Sequence, residues 1–163
     1  MTHRSTWRDL EQGAPTIAQV GLARLESTRV AFLGTLRSDG APRISPIETY
    51  LVAGHLLVGA MTWSRKADDL RRDPRYVLHS LVTDPDGGQP ELKIYGMAAE
   101  AGSDLREAAP DAWWSGRPLG DATVFSLSIS QAVLIEWDVD DSQMVVHRWS
   151  GRRGYERRQR TYP

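Results

Sequence analysis

The chain has 163 residues, a length that fits one domain with a sizeable buried core, and 40% of them are hydrophobic. Its net charge of -1 argues against nucleic-acid and membrane partners, and the absence of cysteine excludes disulfides and cysteine metal sites. No apolar run approaches the roughly 20 residues that span a bilayer, and no signal peptide is evident. We therefore expect a cytoplasmic protein.

The first part of the chain predicts one helix followed by three strands. Apolar residues at helical spacing predict a helix over residues 16–27. Short β-rich runs separated by turns then predict strands over residues 29–37, 42–53 and 56–62. The turn Ser38-Asp39-Gly40 is typical of a hairpin, and Pro46 predicts a bulge or an edge position in the second strand.

The next predicted element is a short helix that Ser64 can cap and that Pro74 ends. Further strands are predicted over residues 75–84, 91–101, 123–129, 132–139 and 144–149. Between them, residues 103–120 carry two prolines and predict one or two short helices.

Six or more short strands with tight turns predict a mainly β protein, a closed or partly closed antiparallel barrel. We expect a single domain over residues 1–163, with an N-terminal extension (1–15) and a polar, arginine-rich tail (151–163). The tail is expected to be solvated and partly disordered, although it could instead reach an acidic cofactor tail or a partner's pocket. No glycine-rich loop joins a strand to a helix, which disfavours a Rossmann or P-loop nucleotide site.

The short helix begins with two adjacent cations, Arg65 and Lys66. A helix N-terminus carries partial positive charge and favours acidic residues, so these cations oppose the local electrostatics. A bound phosphate would accept the free N–H groups of the first turn and neutralise both side chains. The alternative is that both side chains simply extend into solvent. The preceding Met61 and Thr62 follow two small residues, which would let a flat ligand approach the backbone.

The segments "GTLRSDGAPRISPI" and "SRKADDLRRDPRYVL", separated by a hairpin strand, resemble the pyridoxamine 5'-phosphate oxidase-like flavin-binding split β-barrels. The similarity extends from about Ala31 to Ala99. It implies a six-stranded split barrel and a homodimer that binds FMN, or alternatively coenzyme F-420, at the dimer interface. The implied function is that of an oxidoreductase with a small-molecule substrate.

The resemblance also assigns cofactor-binding positions, and it leaves the catalytic residues unknown. Arg43 would reach the phosphate together with Arg65 and Lys66. Ser64 would belong to the same phosphate site. Ile44, Ser45 and Pro46 would present backbone to the ring, and Met61 and Thr62 would lie against the ring or the ribityl chain. Glu91 falls near a polar cofactor-binding position that is usually glutamine in the oxidases. Glu48 stands where the true oxidases carry lysine, so a general flavin or deazaflavin reductase fits better than vitamin B6 oxidation.

Two alternatives stay open at this stage. The same barrel could be a non-catalytic flavin- or haem-binding carrier or sensor, because no catalytic constellation is recognisable. Trp113 and Trp114 could cover a cofactor or substrate pocket, or they could fill the barrel end or the dimer interface. His55 and His79 are expected to be structural, and the histidine spacing predicts no metal site.

Overall fold

The computed structural model describes residues 4–163, so the first three residues of the predicted N-terminal extension lie outside the described part. Its helices are α1 (Trp7–Gly13), α2 (Pro15–Thr28), α3 (Arg65–Arg72) and α4 (Ser103–Glu107). Its strands are β1 (Val30–Leu36), β2 (Pro42–Val52), β3 (His55–Met61), β4 (Arg75–Ser80), β5 (Glu91–Glu100), β6 (Ala122–Asp138), β7 (Gln143–Ser150) and β8 (Gly154–Thr161). Among these described elements, no helix is both long and apolar enough to cross a membrane.

The predicted mainly β fold and its six-stranded barrel are confirmed. The strands follow the order β3-β2-β1-β4-β5-β6-β7-β8, and a further pairing of β3 with β6 closes the first six into an antiparallel barrel. The strand β6 serves both parts, because its N-terminal half pairs with β3 and its C-terminal half with β7. As a result, β7 and β8 extend the sheet beyond the barrel.

The core consists of the inward-facing residues of the barrel and of the two N-terminal helices packed on them. Leu33, Ile94 and Leu134 are fully buried strand residues, and Trp7 and Ile17 join the same apolar cluster from α1 and α2. Removing side chains of this size from water is the main stabilising contribution in such a fold. The N-terminal extension therefore contributes to the core.

One continuous strand, β6, replaces the two strands predicted over residues 123–139. The polar pair Ser130-Gln131, which suggested a break, forms a β-bulge, since Tyr95 pairs with Gln131 whereas Gly96 pairs with Ile129. A bulge adds one residue without ending the strand. A Cβ atom on Gly96 would lie 1.7 Å from the Ser128 carbonyl oxygen, so only glycine fits opposite the bulge.

The expectation of a partly disordered tail is wrong, because residues 154–161 form β8. This strand pairs with the whole of β7, from Ser150 opposite Gly154 to Gln143 opposite Thr161. Every side chain of β8 is exposed, so the strand lacks the alternation of apolar and polar residues that reveals a half-buried strand. The strand predicted over residues 75–84 is also shorter than expected, since β4 ends at Ser80.

Candidate functional site

The helix α3 is held on the barrel by a buried carboxylate. Asp69 is only 3% exposed and accepts hydrogen bonds from Thr35 Oγ1 (2.9 Å), Arg43 Nε (2.6 Å) and Arg72 Nη2 (3.1 Å). Burial alone would raise the pKa of Asp69, but these hydrogen bonds and the charge of Arg43 hold it below its ordinary value. Arg72 also donates to the Leu36 carbonyl oxygen. The orientation of α3 is therefore fixed by a network that reaches both β1 and β2.

The first turn of α3 contains a buried hydroxyl group without a partner. Ser64 occupies the predicted N-cap position, but its side chain makes no capping hydrogen bond. Its Oγ atom is buried and has no hydrogen-bond partner among the described residues. Buried polar atoms are rarely left unpaired, because an unmade hydrogen bond costs about 1–3 kcal/mol. The backbone N–H groups of Arg65 and Lys66 precede the first hydrogen bond of the helix, which Ala67 N–H donates to the Ser64 carbonyl oxygen at 3.0 Å, so unsatisfied donors converge here.

The two cations of this turn lie in different environments. Arg65 is exposed and pairs with none of the described residues, as the solvent interpretation expects. Lys66 is half-buried, and its Nζ atom donates to the Pro46 carbonyl oxygen at 3.2 Å. Burial lowers the pKa of Lys66, because the charged form loses solvation without gaining a counter-ion. The sequence places the cation here, and the fold partly desolvates it.

Pro46 can accept this hydrogen bond because of its place in the sheet. Residues 42–48 of β2 pair with β1, whereas only residues 49–52 pair with β3. Among the described pairings, Pro46 therefore has a strand partner on one side alone, which confirms the predicted edge position.

A groove of about 500 Å³ opens beside the first turn of α3. We call it the α3 groove, and its lining residues are Val30, Pro46, Ile47, Glu48, Gly59, Ala60, Met61, Trp63, Ser64, Lys66 and Trp113. Most of this lining is apolar, and among the described residues its ionisable side chains are those of Glu48 and Lys66. Glu48 accepts a hydrogen bond from the Tyr50 hydroxyl at 2.6 Å. An apolar groove with a few converging polar groups is typical of a small-molecule site.

The paired tryptophans have separate roles. Trp114 is 1% exposed and belongs to a second apolar cluster with Leu57 and Val124, separate from the barrel core, so its role is to pack this cluster. Trp113 lines the α3 groove. Gly59 makes this arrangement possible, since a Cβ atom there would lie 2.2 Å from the Trp114 ring.

The structure brings some of the predicted site residues together and separates others. Pro46, Met61, Ser64 and Lys66 line the α3 groove. Arg43, Ile44 and Ser45 precede Pro46 on β2, and Thr62 follows Met61 with its hydroxyl 3.2 Å from that of Thr123. Arg65 points to solvent at the same turn.

Glu91 is not part of this group within one chain. It pairs with Ile135, whereas Met61 pairs with Ala122, so the two residues lie near opposite ends of β6. The Glu91 carboxylate accepts a hydrogen bond from Trp137 Nε1 at 3.1 Å and lies 3.6 Å from the Lys93 ammonium group.

Sequence reasoning did not identify Trp63, Val30 or Glu48 as groove residues. Trp63 is 77% exposed, although large aromatic side chains are usually buried. Trp63 lies between Thr62, a predicted contact of the ring or ribityl chain, and Ser64, a predicted phosphate contact. This position is the feature of the sequence that could have identified it. Val30 reaches the groove because it lies opposite Glu48 in the β1–β2 hairpin, and the predicted hairpin turn alone does not show which β1 residues line the groove.

Comparisons with known proteins agree with this architecture. No protein-family model and no curated protein sequence matches the chain. PhzG from Burkholderia lata 383, solved with tetrahydrophenazine-1-carboxylic acid, has a TM-score of 0.67 at 12% identity, covering 96% of this chain and 93% of that chain. A pyridoxamine 5'-phosphate oxidase-related, FMN binding protein from Nostoc punctiforme PCC 73102 has a TM-score of 0.63 at 13% identity, covering 91% and 96%. A heme binding protein from Mycobacterium smegmatis has a TM-score of 0.57 at 13% identity, covering 88% of each chain.

These identities are low, so the similarity concerns the fold. The same six-stranded closed barrel was predicted from the segments between Ala31 and Ala99, and the structural matches extend it over most of the chain. The chain therefore has the fold of the pyridoxamine 5'-phosphate oxidase-like FMN-binding split β-barrels.

Proposed function

We propose that the protein is a flavin- or deazaflavin-dependent oxidoreductase that binds FMN, or alternatively coenzyme F-420, in the α3 groove. The observation that carries this proposal is the buried, unpartnered hydroxyl of Ser64 beside the partly desolvated Lys66. Both groups would gain a partner from the same phosphate.

The phosphate end of the cofactor fits the first turn of α3. Its oxygens would accept hydrogen bonds from Ser64 Oγ and from the free backbone N–H groups, and its charge would compensate Lys66. Arg65 is one residue away and exposed, so it is available as a second cation. Arg43 is already bonded to Asp69 through Nε, which makes its main contribution the placement of α3.

The ring of the cofactor fits the apolar part of the groove. Met61, Trp63 and Trp113 provide surfaces against which a flat ring can pack, and Gly59 and Ala60 occupy little space in the lining. Arg117 helps to orient Trp113, because its guanidinium lies over the ring at 5.9 Å from the ring centre and its Nε donates to the Trp113 carbonyl oxygen at 2.9 Å. In this proposal Ile44, Ser45 and Thr62 contribute mainly through their backbone.

When bound, the cofactor supplies the hydride chemistry, and the protein supplies binding, orientation and exclusion of water. Trp63 and Trp113 would shield the ring from solvent, and Lys66 would hold the phosphate. Hydride transfer requires no acid or base from the protein.

We also propose a homodimer formed through the outward face of β2, β1, β4 and β5. Phe32, Ile44 and Tyr95 lie on this face and are 45%, 72% and 39% exposed. An apolar face of this kind marks an interaction site more often than a free surface. Glu91 shares this face through its position on β5, so a role for it at the cofactor would come from Glu91 of the partner subunit. Sedimentation of the wild type and of Ile44→Glu tests the proposed dimer. We expect the wild type to be dimeric and Ile44→Glu to be monomeric. A monomeric wild type would refute the proposal.

The binding proposal is tested by titrating the purified protein with FMN and, separately, with F-420. We expect saturable binding of at least one of them, with a change in its absorbance spectrum. Assays with the reduced cofactor and a panel of acceptors then test turnover. Failure of both cofactors to bind would overturn the proposal.

A second candidate is a non-catalytic carrier or sensor that uses the same groove. The groove lining offers little acid–base chemistry, which favours it, and one solved structure with this fold is described as a heme binding protein. However, none of the described groove residues is a histidine, so the described part of the chain offers haem no imidazole ligand there. Tight cofactor binding without turnover for any acceptor would support this candidate over the enzyme.

A further inference from the structure

A second concave surface lies where β6, β7 and β8 meet, outside the α3 groove. It has a volume of about 380 Å³. We call it the arginine groove, and its principal side chains are Ser130, Gln131, Arg148, Arg153, Glu156 and Arg158. None of these residues belongs to the site described above.

The arginine groove carries more positive than negative charge. Three arginines face one carboxylate, that of Glu156, which lies 3.7 Å from Arg148 Nη1 and 3.5 Å from Arg158 Nη2. A single carboxylate cannot neutralise three guanidinium groups. The groove therefore keeps an excess of two positive charges, although the chain as a whole has a net charge of -1.

Arg153 is the cation without a partner. Its guanidinium group makes no hydrogen bond or ion pair with the described residues, whereas its backbone N–H donates to Ser150 Oγ at 3.2 Å. That bond and the positive φ of Gly154 (73°) define the tight turn between β7 and β8. The turn holds Arg153 beside Arg148 and Arg158 instead of leaving it on a mobile tail.

Two neutral polar side chains also line the arginine groove. The β-bulge in β6 places Ser130 and Gln131 next to each other in the groove. The Ser130 hydroxyl donates to the Tyr95 carbonyl oxygen at 2.9 Å, which fixes this side chain. The Gln131 amide has no partner among the described residues. Bulges often serve to redirect side chains in this way.

We propose that the arginine groove binds the dianionic phosphate of a phosphorylated small molecule. An arginine fork matches phosphate oxygens, and an excess of two charges matches a phosphate monoester rather than a monoanion. The volume exceeds that of a phosphate alone and leaves room for the group that carries it. This site does not depend on the proposed cofactor site, because the two share no residue.

The test is a titration of the full chain with inorganic phosphate at fixed ionic strength, followed by the backbone amide NMR signals. We expect saturable shifts at Gln131 and Arg153, with affinity in about the millimolar range because exposed charges are screened by water. Arg153→Ala should weaken this binding about fivefold or more. Arg152→Ala is the matched control, since it removes the same charge from the adjacent exposed residue outside the groove, and it should change the affinity less than twofold.

Three outcomes would overturn the inference: no saturable shifts at Gln131 and Arg153, equal losses in the two variants, or equally tight binding of chloride. Shifts confined to Ser64, Arg65 and Lys66 would also overturn it, and they would support the proposed cofactor site. Conversely, shifts at the arginine groove without any at α3 would support the inference and weaken the cofactor proposal.

Discussion

The start of α3 and the β7–β8 ribbon both concentrate positive charge, but they do so in different ways. At α3 a cation is half-buried next to a hydroxyl group that has no partner. On the ribbon the cations are exposed, with the side chains of Arg148 and Arg158 at 50% and 73%. Charge that the fold removes from water costs free energy and therefore indicates a ligand more strongly than charge that remains hydrated.

The largest expected change in stability concerns Asp69, the buried carboxylate that holds α3 on the barrel. Asp69→Ala should lower the free energy of unfolding by about 1.5–3 kcal/mol, because it removes the hydrogen bonds that a buried carboxylate accepts from Thr35, Arg43 and Arg72. Urea denaturation measures this loss. Asp68→Ala is the control and should change stability by less than about 0.5 kcal/mol, since Asp68 is 50% exposed and lies 3.8 Å from Arg71. Equal losses in both variants would show that α3 does not depend on the buried network.

The same network predicts a dependence on pH. The pKa of Asp69 is held below its ordinary value, so its stabilising contribution is present above about pH 4 and is lost as the pH falls through the lowered pKa. Acid unfolding of the wild type should therefore be steeper than that of Asp69→Asn. Parallel stability curves for the two proteins below pH 4 would contradict this.

Ser64→Ala should affect stability and binding in opposite directions. Removing a buried hydroxyl without a partner should raise the stability of the cofactor-free protein by about 1 kcal/mol, while FMN should bind about fivefold more weakly. Thermal unfolding and FMN titration measure the two effects. Ser103→Ala, on the exposed face of α4, should change neither by a comparable amount. A stability loss in Ser64→Ala would mean that the hydroxyl already has a partner.

The ionisation of Lys66 offers a smaller but direct signal. Burial lowers its pKa, so its charged form destabilises the cofactor-free protein as the pH falls from about 10 through the lowered value. A bound phosphate should raise this pKa. The chain has only two lysines, Lys66 and Lys93, so NMR of methylated lysine resolves them, and Lys93 provides the internal control. An unchanged pKa for Lys66 in the presence of saturating FMN would place the phosphate elsewhere.

The smallest expected change in stability concerns the β7–β8 ribbon. Glu156→Gln should change the free energy of unfolding by less than about 0.5 kcal/mol, because both of its ion pairs are exposed. Chemical denaturation checks this value. A loss of stability above 1 kcal/mol would show that the exposed ion pairs of the β7–β8 ribbon stabilise the fold more strongly than their exposure indicates.

The barrel and α3 could be predicted from sequence because their signals are local. Alternating apolar residues, the turn at Asp39-Gly40 and the stop at Pro74 set the elements without knowledge of their neighbours. The helix α1 was missed, although Thr6 and Asp9 form a capping box at its start. The strand β8 could not be recognised because the pairing of its backbone with β7, and not the burial of its side chains, stabilises it.

The candidate site was predictable only in part, because only some of its features are local in sequence. Arg65 and Lys66 stand out in sequence because they oppose the helix dipole. Three further features depend on contacts between distant segments. They are the partial burial of Lys66, the unpartnered hydroxyl of Ser64 and the position of Trp113 in the groove. Arg43 illustrates the opposite case: its position suggested a phosphate ligand, but the fold pairs it with Asp69.

The most direct test of the central claim compares FMN with riboflavin, which lacks the phosphate, in the wild type and in Lys66→Ala. If the first turn of α3 holds the phosphate, the wild type should bind FMN at least about tenfold more tightly than riboflavin, the scale of a charge-assisted hydrogen bond. Lys66→Ala should lose most of that preference and leave riboflavin affinity nearly unchanged. An equal preference for FMN in both proteins would contradict the claim.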